Sequence, residues 1–496
     1  MWTVTSMRES SSTEADPPLF VRRTLATWAR HLGRVARHPI FWWALLGTAI
    51  RVGLAPFTSW TADVEPYYFA ARDLATYGNP YATMHFTYPP LFAYLAFPLE
   101  YLVMITTAPV AQFVPAIVPV SELTGLLVPV VTSPAFNLAV KIPMILADFL
   151  TGWLLYAVLA PRSPAEARRA FLLWYLNPLV ILVGSVQGQL DVLPAMFVLV
   201  ASLALVERQR WIAGVAIAAA IALKLYAALL IPLFAAALLA DLQPEVRSLW
   251  AALRRIIGPR TRRELVTFLG IVVLSVMLFI APSAGAGLRS ISRRAAVLQP
   301  GGFSGPSLFF QLTGSGLLTF ASSGSRPEII SWALLVAMVF AALYLAVKHY
   351  PFLWSASSFD GLLALTAGTV LTLIAVFVFS PLVNPQYLVW VLPSLVLLGS
   401  RWRTFERSLV LLSFAGVIFE VGLLGWAAYL YPLAVYTGAV SVPWLNEQIT
   451  AYWFARGLIS PRLSQDISLL GTAMGMAALG WMGVRAVGLT RARRRK

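Results

Sequence analysis

The 496-residue sequence has no cysteine, four histidines and only four lysines, Lys141, Lys224, Lys348 and Lys496. Without cysteine there can be no disulfide, thiolate zinc site, iron–sulfur cluster or cysteine nucleophile. The histidines, His31, His38, His85 and His349, stand too far apart to make a helical metal pair, which removes the usual histidine zinc site. Charge is also scarce. Charged residues make up 12% of the chain, against about a quarter in an ordinary soluble protein. Hydrophobic residues reach 59% and the mean hydropathy is +0.76. This balance excludes a disordered chain and a multidomain soluble enzyme.

What is present are long, nearly uncharged runs at 40–57, 171–186, 191–206, 264–282 and 358–380, long enough for membrane spans. The net charge of +16 sits between and beyond these runs. Its blocks are Arg22, Arg23, Arg30, Arg34 and Arg37, then Arg162, Arg168 and Arg169, then Arg247 through Arg263, then Arg491 to Lys496. The positive-inside rule reads such blocks as cytoplasmic, where anionic lipid head groups suffice as partners and no nucleic acid is needed. Residues 1–39 carry charge and lack a cleavable signal core, so they read as a basic cytoplasmic leader.

The expected fold class is an all-α polytopic membrane protein. Spans are expected near 40–57, 88–107, 135–159, 170–187, 191–206, 264–282, 328–347, 358–380, 384–400, 407–428 and 467–487. Residues 58–90 read as a polar, aromatic-rich exterior loop. The proline-interrupted stretch 108–134 reads equally as a broken span or a re-entrant lid. Residues 211–240, basic at both ends, favour a hairpin of half-helices breaking near Lys224 over one long helix. Exterior loops remain at 283–326 and 429–465, and the total is on the order of a dozen spans with an inside C-terminus. The division this suggests is a leader (1–39), a transmembrane module (40–400) and C-terminal helices with a basic tail (401–496).

Polar residues that resist this composition mark the candidate chemistry. Asp63 and Glu65 stand two apart in the first exterior loop. In an extended segment both carboxylates point the same way, so they could bind a divalent cation or form a base and its partner. An ordinary solvated loop is the plainer alternative. Lys141 and Asp148 are seven apart, on one face of a helix, inside apolar sequence. Structural interhelical bonding explains them as well as function does. Asn177-Pro178 opens an interruption that ends in Gln187, Gln189 and Asp191, which suits sugar hydroxyls or a simple polar turn. Lys224 and Tyr226 mark a break where an ammonium could hold a phosphate or snorkel to the interface. Asn384-Pro385-Gln386-Tyr387-Leu388, followed by Trp390, gives a late span a polar tip.

These motifs occur in a telling order. An acidic pair comes first, then Gly78-Asn79-Pro80-Tyr81 and Tyr88-Pro89-Pro90-Leu91, then Lys141-Ile-Pro143 with Asp148. Asn177-Pro178 with Gly188-Gln189 and Asp191, Lys224 with Tyr226, and Pro385-Gln386-Tyr387-Leu388 with Trp390 follow. The order resembles the GT-C glycosyltransferases that use polyprenyl-phosphate sugars. It is most similar to the group of glycosylphosphatidylinositol mannosyltransferase I and related prokaryotic mannosyltransferases, over about residues 44–400.

The resemblance implies a GT-C-like bundle with its active site in exterior loops. It implies inverting, single-displacement transfer of a hexose, with mannose favoured, from a polyprenyl-phosphate donor to a lipid or glycan acceptor. Asp63 becomes the base and Glu65 its partner, with Mg or Mn as a possible cation there. The departure from the family's two aspartates puts strict metal binding in doubt. Lys224, Arg289, Arg293, Arg294 and Arg51 become candidates for the donor phosphate. Tyr88, Lys141, Asp148, Gln187, Gln189, Asp191, Tyr226, Gln386 and Tyr387 become candidates for sugar or acceptor. No glycine-rich phosphate motif follows a strand, consistent with a lipid donor, and Gly301 to Pro306 reads as a flap or plain turn. A transporter or flippase without chemistry, and an accessory subunit that has kept the fold but lost activity, are the rival readings. Arginine far outnumbers lysine, which hints at a GC-rich prokaryote and its plasma membrane.

Overall fold

The computed structural model describes residues 38–107, 113–119, 127–242, 246, 248–254, 259–283, 285–287, 327–353, 358–379, 384–424, 429–436, 470, 473–475 and 477–485. The chain divides into two units, Met1–Leu46 and Gly47–Lys496. Residues 38–40 turn into helix α1, Phe41–Leu54, of which the part from Gly47 onward belongs to the second unit. The second unit holds everything else.

The exterior loop expected at 58–90 contains a 17-residue helix, α2, Thr61–Tyr77. Val64, Tyr67, Tyr68 and Ala71 bury one side of it, so packing overrides a segment whose charges read as loop. Gly78 ends it in the left-handed conformation at φ 68°, and its N–H closes on Leu74 O. After α3, Leu91–Thr106, comes a further departure from expectation. The stretch read as a broken span or lid holds β1, Phe113–Pro119, and β2, Leu127–Thr132, paired antiparallel with Phe113 opposite Thr132. Prolines at 115, 119 and 129 deny a helix its hydrogen bonds, while the valines between them suit a short two-stranded ribbon. β2 packs against α2.

Helix α4, Pro134–Leu159, is capped by Ser133 Oγ, which accepts from Phe136 N at 3.1 Å. Helix α5, Pro164–Tyr175, starts on a Ser163 cap. Asn177 then caps the short α6, Pro178–Ile181, through Leu179 N at 3.0 Å, and the two helices bend by 42° at this break. A π-helical turn, Leu182–Gln187, follows and stops at Gly188, φ 87°. Helix α7, Val192–Val206, leads through a tight turn to α8, Arg210–Leu223.

At Lys224 the backbone becomes extended, and a 3-10 turn at Leu225–Leu230 hands over to α9, Ile231–Leu242. Arg210, at the start of α8, meets Asp241, near the end of α9, at 3.4 Å and Glu264 at 2.6 Å. Both half-helices therefore return to one end, with Lys224 at the apex, which is the hairpin the basic flanks favoured. Beyond α10, Leu249–Arg254, run α11, Pro259–Ile280, α12, Pro327–Leu353, and α13, Ser358–Phe379. A 3-10 turn at Pro385–Trp390, α14, Leu392–Arg401, α15, Arg403–Leu424, and α16, Tyr431–Tyr436, complete the named elements.

The protein is an all-α polytopic membrane protein with one small hairpin among the described residues. The dozen spans expected are not confirmed among the described residues. Among the described residues four helices are long and apolar enough to cross a membrane, or five if the bent pair counts as one span. Helices α1, α3, α7 and α8 are apolar but shorter. At the end away from the π turn, Arg403 bonds Glu166 at 2.7 Å and Glu406 at 2.8 Å, and Arg169 also reaches Glu406. Among the described residues, Arg169, Arg210 and Arg403 thus lie away from the polar chain reversals.

Candidate functional site

Four chain reversals bring polar side chains together. They are the start of α2, the π turn with its exit at 188–191, the apex at Lys224, and the 3-10 turn before α14. The end of α15 closes the cluster.

Lys224 lies at its centre. Its Nζ donates to Asp191 Oδ1 at 2.7 Å and Oδ2 at 2.8 Å, and both residues are buried. Trp390 Nε1 donates to Asp191 Oδ1 at 2.5 Å. The Trp390 ring stacks on Tyr226, with centroids 3.5 Å apart, and on Tyr387 at 4.3 Å. Lys224 Nζ also sits 4.6 Å from the Tyr387 centroid and 5.7 Å from that of Tyr88. Asp191 is therefore saturated and Lys224 fully engaged. The isolated ammonium expected to hold a donor phosphate is instead one half of a buried ion pair.

Asp63 lies in the first turn of α2, where the helix dipole favours a carboxylate, and its Oδ2 accepts from Gln187 Nε2 at 3.1 Å. Gln189 Nε2 donates to Tyr88 OH at 3.3 Å. The far oxygens of both amides, Gln187 Oε1 and Gln189 Oε1, are buried without a hydrogen-bond partner, as is Tyr226 OH. Glu420 joins from α15. Its Oε2 accepts from Tyr429 OH at 3.2 Å, and it is near enough to Asp63 and Asp191 to feel both charges. The backbone ties the reversals to one another, because Trp60 N donates to Gln187 O at 2.9 Å and Ser59 N to Tyr429 O at 3.0 Å.

Several expected site residues go elsewhere. Asp63 and Glu65 do not form a pair, because two residues along a helix turn a side chain by about 200°. Glu65 is buried, and burial pushes its carboxyl up to about 7. His85 Nδ1 stands 3.9 Å from Glu65 Oε1, and its imidazole is pushed below its ordinary value by burial and by Arg72. The geometry for a shared Mg or Mn at Asp63 and Glu65 is lost, and among the described residues no three acidic or histidine side chains converge as a metal site.

Arg51 and Asp148 are fully buried together. Arg51 Nε meets Asp148 Oδ2 at 3.0 Å, and Nη1 donates to Tyr175 O at 2.7 Å and Gly47 O at 3.2 Å. Arg51 and Asp148 are thus engaged with one another inside the bundle, apart from the cluster around Lys224. Lys141 shares the helix with Asp148 but not its partner. Its Nζ donates to the carbonyls of Ala55, at 3.0 Å, Val186, at 3.1 Å, and Thr58. Lys141 thus clamps the end of α1 to the π turn. Gln386 is buried beside Glu420, to which its backbone N–H donates. Arg289, Arg293 and Arg294, the 301–306 segment, the leader and most of 429–465 lie outside the described residues.

Glu420, Tyr429 and the Trp390 indole were not among the expected site residues. Glu420 carried a signal: it is a lone carboxylate in apolar sequence, by the same rule that singles out Lys141. Tyr429 carried none, since a tyrosine near a span end reads as interfacial.

A family model described as PIG-U, GPI transamidase subunit PIG-U, matches residues 51–292, just under half of the chain. No curated protein matches the sequence. This finding overturns the expectation of an enzyme that transfers mannose from a polyprenyl phosphate, since the matched family is named for a transamidase subunit. Over the stretch that supplies Asp63, Gln187, Asp191 and Lys224, the chain is similar to a membrane family of GPI transamidase subunits.

Proposed function

We propose that this chain is a non-catalytic membrane subunit that holds the head group of a glycosylphosphatidylinositol-type lipid for a partner protein. The observation that carries the reading is the set of unfilled polar atoms in the cluster. Gln187 Oε1, Gln189 Oε1 and Tyr226 OH are buried without partners. Buried polar groups are ordinarily satisfied, so their natural complement is a ligand rich in hydroxyls. The engagement of Asp191 by Lys224 and Trp390, and of Asp63 by Gln187, favours a rigid binding surface over proton transfer. The matched family's name supplies the lipid class and the role as a subunit. Lining residues come from both 40–400 and 401–496, so the two segments act as one module. The basic ends opposite the cluster support a recess facing outward from a plasma membrane.

The test is lipid binding by the purified protein in nanodiscs. Glycosylphosphatidylinositol lipid should bind in preference to phosphatidylglycerol. Replacing Gln187 and Gln189 together by leucine should weaken binding by about tenfold or more, as two neutral hydrogen bonds imply. Equal binding of the two lipids, or full affinity in the double variant, would refute the reading.

A further inference from the structure

We propose that the cleft between α5 and α15 seats one anionic phospholipid of the inner leaflet, with an acyl chain between the helices and its phosphate on Arg168 and Arg407. The cleft lies outside the polar cluster, so nothing here depends on the glycolipid reading.

Both helices begin at the basic end, α5 at Pro164 and α15 at Arg403. Polar contacts join them at two levels. Near the start Arg169 bonds Glu406, and Arg403 bonds Glu166 at 2.7 Å and Glu406 at 2.8 Å. Two turns further on, Asn177 Nδ2 donates to Ser413 Oγ at 2.8 Å. Past that bond α15 closes on α6, where a Cβ added to Gly416 would stand 2.7 Å from Leu179 Cδ2. Between the two levels the helices leave a cleft of about 250 Å³. Leu172, Leu173 and Leu176 form one wall, Leu409, Val410 and Phe414 the other, and Arg169 stands at the mouth. Val410 and Phe414 are exposed, so the cleft opens toward the bilayer. From Arg169 to Leu176 it runs about 10 Å along the helix.

The charge at the mouth is not balanced. The first two turns of α5 and α15 hold Arg168, Arg169, Arg403 and Arg407 against Glu166 and Glu406. Arg169 and Arg403 take up both carboxylates. Arg168 and Arg407 are exposed and have no ion-pair partner among the described residues. Arg168 stands one turn before Leu172 and Arg407 one turn before Val410, and helical side chains lean toward the N-terminus, here the membrane surface. The occupant must therefore be anionic at one end and apolar over about 10 Å of its length. A free phosphate would meet the arginines and leave the leucine walls empty. A helix about 10 Å across cannot enter a cleft of this volume and would only cover it. An anionic phospholipid meets both demands. The arginine fork matches phosphate oxygens, and the cytoplasmic leaflet is where anionic lipid is concentrated.

The experiment places full-length protein in phosphatidylcholine nanodiscs with a trace of lipid carrying a diazirine in one acyl chain. The probe is phosphatidylglycerol in one sample and phosphatidylcholine in the other, and crosslinked peptides are mapped by mass spectrometry. The phosphatidylglycerol probe should label 172–176 and 409–414 about tenfold or more above the phosphatidylcholine probe, as two arginines at a membrane surface imply. Inorganic phosphate should suppress that label no more than chloride at equal ionic strength. Arg168→Gln combined with Arg407→Gln leaves both glutamates paired and should remove the preference. Leu173→Trp fills the cleft, keeps the charges and should cut the label at least fivefold. Equal labelling by the two probes, or a preference that survives the double arginine variant, overturns the proposal. So does suppression specific to phosphate, which would mark an anion site without a lipid tail. Absence of label from the cleft, as a second copy of the chain covering it would give, overturns it too.

Discussion

Replacing Lys224 by methionine removes the cation at the apex of the α8–α9 hairpin while keeping most of its volume. Asp191 would lose two hydrogen bonds, of 2.7 and 2.8 Å, and keep only the Trp390 N–H. A buried carboxylate stripped of its ion-pair partner costs about 3–5 kcal/mol. Asp191→Asn is expected to be milder, about 1–3 kcal/mol. The amide oxygen can still accept from Trp390, and Lys224 keeps the Tyr387 and Tyr88 rings at 4.6 and 5.7 Å. The double variant leaves no stranded charge and should cost less than Lys224→Met alone, giving a coupling of about 2–3 kcal/mol. Unfolding in mixed micelles with increasing SDS, followed by tryptophan fluorescence, reads all three. Strict additivity, or a Lys224→Met cost below about 1 kcal/mol, would refute a buried, mutually dependent pair.

Lys141→Met should destabilise the protein by about 3 kcal/mol or more, measured by the same titration, because it strands carbonyls of Ala55, Thr58 and Val186. Gly188→Ala should cost about 1–3 kcal/mol. The residue has φ 87°, and a Cβ there would stand 2.8 Å from Val64 Cγ2 and 3.0 Å from Lys141 Cε. Glu65 should give a pH signature. Its carboxyl is raised from 4.5 to about 7, so below pH 4.5 both folded and unfolded chains hold the proton and the group costs nothing. Between 4.5 and 7 the folded state alone retains it, so stability should fall as pH rises, by about 3 kcal/mol in all. Melting temperatures across this range should show that slope in the parent protein and lack it in Glu65→Gln; a parallel slope in the variant would refute the assignment.

Composition was enough to read a membrane protein, because span-length apolar runs and segregated arginines are direct consequences of solvation. Breaks were legible where chemistry forces them. Asn177-Pro178 announces a cap and a bend, and Lys224 in apolar sequence announces an interruption. What escaped was decided by tertiary packing. Thr61–Tyr77 looked like a loop by charge, and its helix exists because one face is buried. That helix also separated Asp63 from Glu65, an error of period and not of residue choice. The partners of Lys141 and Asp148 could not be read from their shared face, because each turned to a different neighbour. Nor could the order of motifs settle the chemistry, since one fold can host different functions.

The π turn at Leu182–Gln187 accommodates one more residue per turn than an α-helix would. Between it and Asp191, the chain delivers Gln187, Gln189 and Asp191 to three separate partners, Asp63, Tyr88 and Lys224. Removing a single residue from the turn would relax it to α-helix and upset the spacing that carries these three side chains to their partners. Length is therefore constrained here more tightly than identity. Among homologues, substitutions within 182–187 should be far more common than insertions or deletions.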